Sequence, residues 1–288
     1  MNVQKRFSFG VFEEDGWADE RDADYRFCVF SDVHHGNQNY NCFACTEGLK
    51  RLQRILDDSS SCDFFLSLGD LADNLLHGIQ PYEEVHDLLK KNNVRFFNGE
   101  HTLQRGERFL YNVVGNHEIA FLPKRELAAY TPYVDGVGNV YAFSHQQTLF
   151  IAYDGVFSAD TCSDTPKDIL PTRSFTIPTA TLSYLKKLLN ELTDGAKSIV
   201  AFSHICLKDI QQVAREQWLE LLLSYGLPVY VFEGHAHRQN CQIYVSDNGQ
   251  TAQVFTLPSV TEDNTYNRYE VLMKQGVPIR IHMLEKPL

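Results

Sequence analysis

The sequence predicts an α/β fold, and three observations carry that prediction. Strand-length apolar runs alternate with segments whose apolar residues recur at helical spacing. The earliest of these segments stand in the order strand, helix, strand, which favours parallel pairing through a right-handed crossover. Run after run then stops abruptly on a short polar sequence of Gly, Asp, Asn or His, and the ends of parallel strands are where open α/β sheets gather their ligands.

Composition sets the outer bounds. A chain of 288 residues can bury a full core in one large domain. Hydrophobic content of 43% and charged content of 22% are ordinary for a globular protein and exclude general disorder. No run of 18 or more apolar residues is present, and the first ten residues lack the apolar centre of a secretory signal. The expectation is a cytoplasmic protein with no membrane partner. Seven cysteines, scattered from Cys28 to Cys241, suit a reducing compartment better than a disulfide framework. Cys42 and Cys45 form a C-x-x-C without a second pair and are read as incidental thiols. With 37 acidic and 26 basic residues, the formal charge of −11 repels phosphate backbones, so no duplex nucleic-acid partner is expected. A local cationic site would have to be supplied by bound metal ions.

Residues 1–24 combine Phe7, Phe9, Phe12 and Trp17 with acidic residues from Glu13 to Asp24, and are read as an N-terminal acidic segment, an edge strand or arm. A single domain over residues 25–288 follows. Its first strand, Tyr25 to Phe30, ends in Ser31-Asp32-Val33-His34-His35-Gly36. Alternation in an extended segment puts Asp32 and His34 on one side, where both can face one metal ion. A helix from Thr46 to Asp57 is predicted by Leu49, Leu52, Ile55 and Leu56. The apolar strand Phe64 to Leu68 then runs into Gly69-Asp70-Leu71-Ala72-Asp73.

After a helix from Tyr82 to Lys91, the strand Phe109 to Val114 ends in Gly115-Asn116-His117-Glu118. Short strands follow at Val140 to Phe143 and Thr148 to Tyr153, and residues 158–176, rich in Ser, Thr, Asp and Pro, read as a long surface loop. The helix Pro178 to Leu192 carries a leucine stripe and leads into the strand Ser198 to Phe202, which closes on Ser203-His204. A helix from Asp209 to Tyr225 stops at Gly226, and the strand Pro228 to Phe232 ends in Gly234-His235-Ala236-His237. The remaining strands, near residues 243–245, 254–257, 269–273 and 279–283, are expected to complete a second sheet.

Five strand ends thus present D-x-H, G-D-x-x-D, G-N-H-E, S-H and G-H-x-H in that order. This set resembles the calcineurin-like metallophosphoesterase superfamily over residues 25 to 283. The resemblance implies a four-layer αββα fold, in which two mixed β-sheets pack as a sandwich with flanking helices. Matched motif by motif, it implies that Asp32, His34 and His237 bind one metal ion, that Asn116, His204 and His235 bind a second, and that Asp70 bridges the two. His117 would stand beside the leaving group, with Asp73 fixing its tautomer and keeping it protonated.

The implied cofactors are two divalent or mixed-valent metal ions. A ligand set of carboxylate, amide and imidazole without thiolate suits Mn, Fe or Zn. Two ions about 3.5–4 Å apart clamp the oxygens of a phosphate ester and generate a bridging hydroxide near neutral pH. Proton donation by His117 would add typically 10²–10⁴-fold.

Within the superfamily, Asp73-Asn74-Leu75 departs from the G-D-x-x-D-R-G of the Ser/Thr protein phosphatases, and Asp73 occupies the place of the metal-binding tyrosine of purple acid phosphatases. The extra domain and basic surface of the DNA-processing nucleases are missing. What remains looks most like the ADP-ribose and CDP-alcohol diphosphatases and the class III cyclic-nucleotide phosphodiesterases. The implied activity is hydrolysis of a phosphodiester or pyrophosphate bond in a small, nucleotide-like substrate. The alternatives are a phosphomonoesterase of the same fold and a metal-free interaction scaffold. His35, Asn39, Tyr40, Asn74 and His77, just beyond the metal motifs, are candidate substrate contacts, and His145 is a weaker one.

Overall fold

Two six-stranded mixed sheets form the frame of this computed structural model, which describes residues 20–36, 47–73, 78–99, 104–169, 174–260 and 265–287. The first contains β1 (Tyr25–Phe30), β2 (Phe64–Ser67), β3 (Val94–Phe96), β4 (Arg108–Asn112), β11 (Thr265–Lys274) and β12 (Val277–Pro287), in the order β12-β11-β1-β2-β4-β3. The second contains β5 (Tyr141–His145), β6 (Thr148–Ala152), β7 (Ser198–Ser203), β8 (Val229–Glu233), β9 (Asn240–Val245) and β10 (Thr251–Thr256), in the order β5-β6-β7-β8-β10-β9. Strands β1, β2, β4 and β3 run parallel in one sheet, and β6, β7, β8 and β10 in the other.

Alternation along each strand explains the layers. Phe27 and Val29 of β1 point between the sheets, while Cys28 and Phe30 belong to the core that also holds Leu52, Ile55 and Leu56 of α1 (Gly48–Asp58). The seam between the sheets is aromatic. The Phe27 and Phe64 rings each meet Phe150 edge-on at 5.3 Å, and Tyr111 stacks on Phe143 at 3.6 Å. Helix α2 (Gln80–Lys91) lies beside the first sheet, the single-turn α3 (Asn116–Ile119) follows β4, and α5 (Thr179–Leu192) and α6 (Gln212–Leu223) lie beside the second sheet. This is the four-layer α/β sandwich.

Two expectations change. The last strands do not all complete the second sheet: β9 and β10 do, but β11 returns to pair antiparallel with β1 and carries β12 with it. Tyr269, Val271 and Met273 thereby enter the core between the sheets, a burial that an apolar alternation signals without naming its partner strand. Nor are the described residues of 158–176 without structure. They include the short helix α4 (Pro166–Ile169) and bridges from Phe175 to Ser158 and Ile210. The short strand β3 was not expected.

Of the acidic segment, residues 1–19 lie outside the described residues, as do Cys42 and Cys45. The other five cysteines are free. Among the described residues, no helix is long and apolar enough to cross a membrane.

What the frame does for function is bring strand ends together across the sandwich. A Cβ placed on Gly234, after β8, would collide with Ser31 Oγ, after β1, and lie 3.0 Å from Asp32 Oδ2. Gly234 is therefore a close-approach glycine, the point where the loops of the two sheets meet.

Candidate metal centre

All five polar strand ends converge at this seam. The backbone there is unusual: Asp32, His34, Asp70, His235 and His237 have φ of 60°, 49°, 49°, 65° and 53°. Left-handed backbone in residues other than glycine costs on the order of 1–3 kcal/mol each and clusters at functional sites. It also corrects the alternation expected for Asp32 and His34, because neither lies in extended backbone. The segment still runs alongside the Gly69–Asp73 turn, with the N–H groups of Asp32, His34 and His35 donating to the carbonyls of Gly69, Asp70 and Leu71, and the left-handed residues set the directions of the two side chains.

The first group of donors is Asp32, His34 and His237. His34 Nε2 lies 3.2 Å from His237 Nε2, and Asp32 Oδ1 lies 3.1 Å from His237 Nε2 and 3.7 Å from His34 Nε2. The second centres on His204, whose Nε2 is 3.0 Å from Asn116 Oδ1 and 3.2 Å from Asp70 Oδ2. His204 Nδ1 donates to the Leu68 carbonyl at 2.7 Å, which aims Nε2 at the centre. His235 packs edge-on against His204 with ring centroids 5.2 Å apart, and its backbone N–H donates to Asp32 Oδ2 at 3.2 Å.

Asp70 stands between the groups. Its Oδ2 is 3.2 Å from His204 Nε2, 3.9 Å from His34 Nε2 and 4.0 Å from His117 Nε2. Its Oδ1 accepts the His117 backbone N–H at 3.0 Å. A Cβ on Gly115 would overlap the Asp70 carboxyl group, so a glycine is needed for the G-N-H-E turn to come this close. Asp73 Oδ2 lies 2.8 Å from His117 Nδ1 and 3.4 Å from His34 Nδ1, so one carboxylate faces both rings.

Electrostatics tests whether this donor set fits metal ions. Asp32 and Asp70 are 0% and 1% exposed, and a buried carboxylate requires compensating positive charge. Burial alone would keep both protonated, but the surrounding imidazoles, His237 and His34 for Asp32 and His204 and His117 for Asp70, hold both well below the carboxylate range. Reciprocally, burial opposes charge on His204, yet Asp70 outweighs it and pushes the ring up to about 9. His34 is raised against its burial by Asp32 and Asp73. His235 moves the other way, to about 4, through burial and the neighbouring His204. Without a metal ion, protons supply the positive charge. Oxygen and nitrogen donors within 4.8 Å of one another, in the groups Asp32–His34–His237 and Asp32–Asp70–His204, are a fitting cradle for divalent cations that would replace those protons.

The centre opens on one side. Asp70 is closed off, whereas the side chains of His117 and His237 are 28% and 35% exposed. Burial works against charge on His117, but Asp70 and the bond to Asp73 prevail and hold it above its ordinary pKa.

Of the candidate substrate contacts, His35 is engaged by Glu84 of α2 at 2.5 Å. Asn39, Tyr40, Asn74 and His77 lie outside the described residues. His145 packs on Tyr25 and Phe64, at the opposite end of the strands from the metal groups.

Glu118 closes the G-N-H-E motif, and the structure gives it a role that the motif alone does not disclose. Glu118 is fully buried, and its carboxylate accepts the backbone N–H groups of Asp70 at 3.1 Å, Leu71 at 2.7 Å and Gly115 at 2.7 Å, and the Tyr82 hydroxyl at 3.1 Å. It ties the Asp70 turn to the Asn116 turn. The sequence carries half of a signal: a Glu three residues past the cap can accept the cap N–H as in a capping box, but Gly115 has no side chain to return the bond.

The family model for the calcineurin-like phosphoesterase matches residues 25–239. Among solved structures, a dimetal phosphatase from Danio rerio superposes with a TM-score of 0.66 at 15% identity, covering 92% of this chain and 99% of the other. NAD nucleotidase from Haemophilus influenzae gives a TM-score of 0.52 at 13% identity, covering 92% of this chain and 50% of that one. Sulfate thiohydrolase SoxB from Thermus thermophilus gives 0.50 at 12% identity, with coverage of 92% and 57%. At such identities the likeness is one of fold. No curated protein sequence matched.

Proposed function

The chain belongs to the calcineurin-like phosphoesterase family, and from that premise we propose that it is a two-metal hydrolase of a phosphodiester or pyrophosphate bond in a small, nucleotide-like substrate. Asp32, His34 and His237 would hold one ion, Asn116, His204 and His235 the other, and Asp70 would contribute to both. The observation that carries this reading is the position of Asp70, a fully buried carboxylate with one oxygen 3.2 Å from His204 Nε2 and 3.9 Å from His34 Nε2. When bound, Mn, Fe or Zn ions neutralise the anionic ester and acidify water enough to provide a nucleophile near pH 7.

The chain's own residues do the rest. Asp73 holds the Nδ1–H of His117, leaving its Nε2 4.0 Å from Asp70 Oδ2, beside the donor groups, on a ring that is 28% exposed. Held above its ordinary pKa by Asp70 and Asp73 despite its burial, His117 is biased toward the protonated form that can deliver a proton to the departing oxygen. The His204 bond to Leu68 and the His34 contact with Asp73 hold two ligand rings ready for metal. The negative surface is no obstacle, because the ions bring the positive charge that the substrate needs.

The substrate class is supported by the residual resemblance to nucleotide diphosphatases and by the shared fold of the NAD nucleotidase. The shared fold of the dimetal phosphatase favours a phosphomonoester as the second reading. One Mn²⁺-supplemented preparation assayed against ADP-ribose, CDP-alcohols, cyclic AMP and simple monoesters decides. Preferential turnover of a diester or pyrophosphate is expected, and turnover of monoesters alone overturns the proposal in favour of the second reading.

A further inference from the structure

Glu233, the last residue of β8, is, like Glu118, a fully buried carboxylate at the seam that is not among the metal donors. It accepts the Leu207 backbone N–H at 2.8 Å and the Thr256 hydroxyl at 2.7 Å. Leu207 belongs to the turn that follows His204, Thr256 ends the neighbouring strand β10, and Glu233 itself is followed directly by Gly234-His235. The same two turns are stitched by the Gly234 N–H donating to the His204 carbonyl at 3.0 Å and the Cys206 thiol donating to the Gly234 carbonyl at 2.8 Å. The backbone links fix the peptide planes next to the two histidines, and the Glu233 side chain spans the wider gap between the turns. A hydrophobic residue would fill a buried strand end without the desolvation that a carboxylate suffers there. The acid therefore calls for a role other than filling space.

Resting on the reading of His204 and His235 as ligands of one ion, we propose that Glu233 is a positioning residue for that ion, holding the two histidine turns at the spacing it requires. It does for the second sheet what Glu118 does for the first, where a buried carboxylate collects the amides of the Asp70 and Asn116 turns. Each sheet then contributes one buried acid that touches no substrate and locks one pair of ligand turns.

Calorimetric titration of metal-free, full-length protein with Mn²⁺, below the unfolding temperature of every variant, tests this. Wild type is expected to show two binding steps, and His235→Ala identifies the relevant one by losing it. Glu233→Ala should weaken that step roughly 10–100-fold, as loss of a group that orients ligands typically does, and leave the other step unchanged. In Glu233→Gln the amide oxygen can still accept from Leu207 while its NH₂ donates to the Thr256 hydroxyl, so most of the affinity should return. Unchanged affinity in Glu233→Ala, or equal weakening of both steps, overturns the proposal. Where Glu233→Ala does not fold, Thr256→Val carries the test: it should weaken the same step by a smaller factor, and no change at that step is the contrary result. Wild type that takes up no metal overturns the two-metal reading itself, and this assignment with it.

Discussion

The Nε2 atoms of His34 and His237 lie 3.2 Å apart across the seam between the sheets, with Asp32 Oδ1 3.1 Å from the second of them. Two neutral imidazole lone pairs aimed at each other at that distance repel. The arrangement is stable only with a proton or a metal cation between them.

That competition sets a pH dependence. In the metal-free protein His204 keeps its proton up to about pH 9, and His34 is likewise held above its ordinary value, whereas a ligating nitrogen must be bare. Metal uptake therefore releases protons. Affinity should rise with pH through the neutral range and level off near pH 9, by up to about tenfold per pH unit for each proton displaced. Competition titrations with a chelator at several pH values measure this slope. Full metal content at pH 5 contradicts it.

Asp70 serves both groups of donors, so its loss should cost more than the loss of a ligand that serves one. Asp70→Asn is expected to abolish turnover of bis(p-nitrophenyl) phosphate while circular dichroism remains native. His237→Ala should leave residual uptake of one ion. Equal activity in Asp70→Asn and wild type would sink the bridging role.

His117→Ala should lower kcat by about 10²–10⁴-fold with metal content intact, since the ring is assigned to proton delivery. The loss should shrink for esters whose leaving group needs no proton, such as p-nitrophenolate, and grow for alkyl esters. Asp73→Asn should show the same dependence more weakly. A loss independent of the leaving group argues against the general-acid assignment.

Glu118→Gln places an amide NH₂ against backbone donors. Each buried N–H left without an acceptor should cost about 1–3 kcal/mol, visible as a drop in thermal midpoint. Tyr82→Phe, which removes one donor from the same carboxylate, should cost about 1 kcal/mol. Equal stability of Glu118→Gln and wild type would show that the carboxylate does not hold the turns.

Much of this centre is legible in sequence because its parts are local. Apolar runs such as Phe64 to Ser67 mark their own ends, and Gly69-Asp70 or Gly234-His235 announce turns that carry donors. The geometry that assembles them is not local. The left-handed backbone at Asp32 and His34 replaces the alternation that a strand-like reading assumes. The return of β11 to β1 depends on a pairing more than 200 residues distant, between Tyr25 and Met273 at one end and Val29 and Tyr269 at the other. Glu118 and Glu233 were passed over for a common reason. Both carboxylates accept from backbone amides, so beyond the position of Glu118 three residues past Gly115 no side-chain pattern announces them, and their burial does.

The proposed chemistry depends on two metal ions bound by Asp32, His34, Asp70, Asn116, His204, His235 and His237. Elemental analysis of protein purified without chelators and equilibrated with Mn²⁺ tests it most directly. The expected result is two transition-metal ions per chain, reduced in Asp70→Asn. No bound transition metal in wild type would contradict the account and leave the fold as a metal-free interaction scaffold.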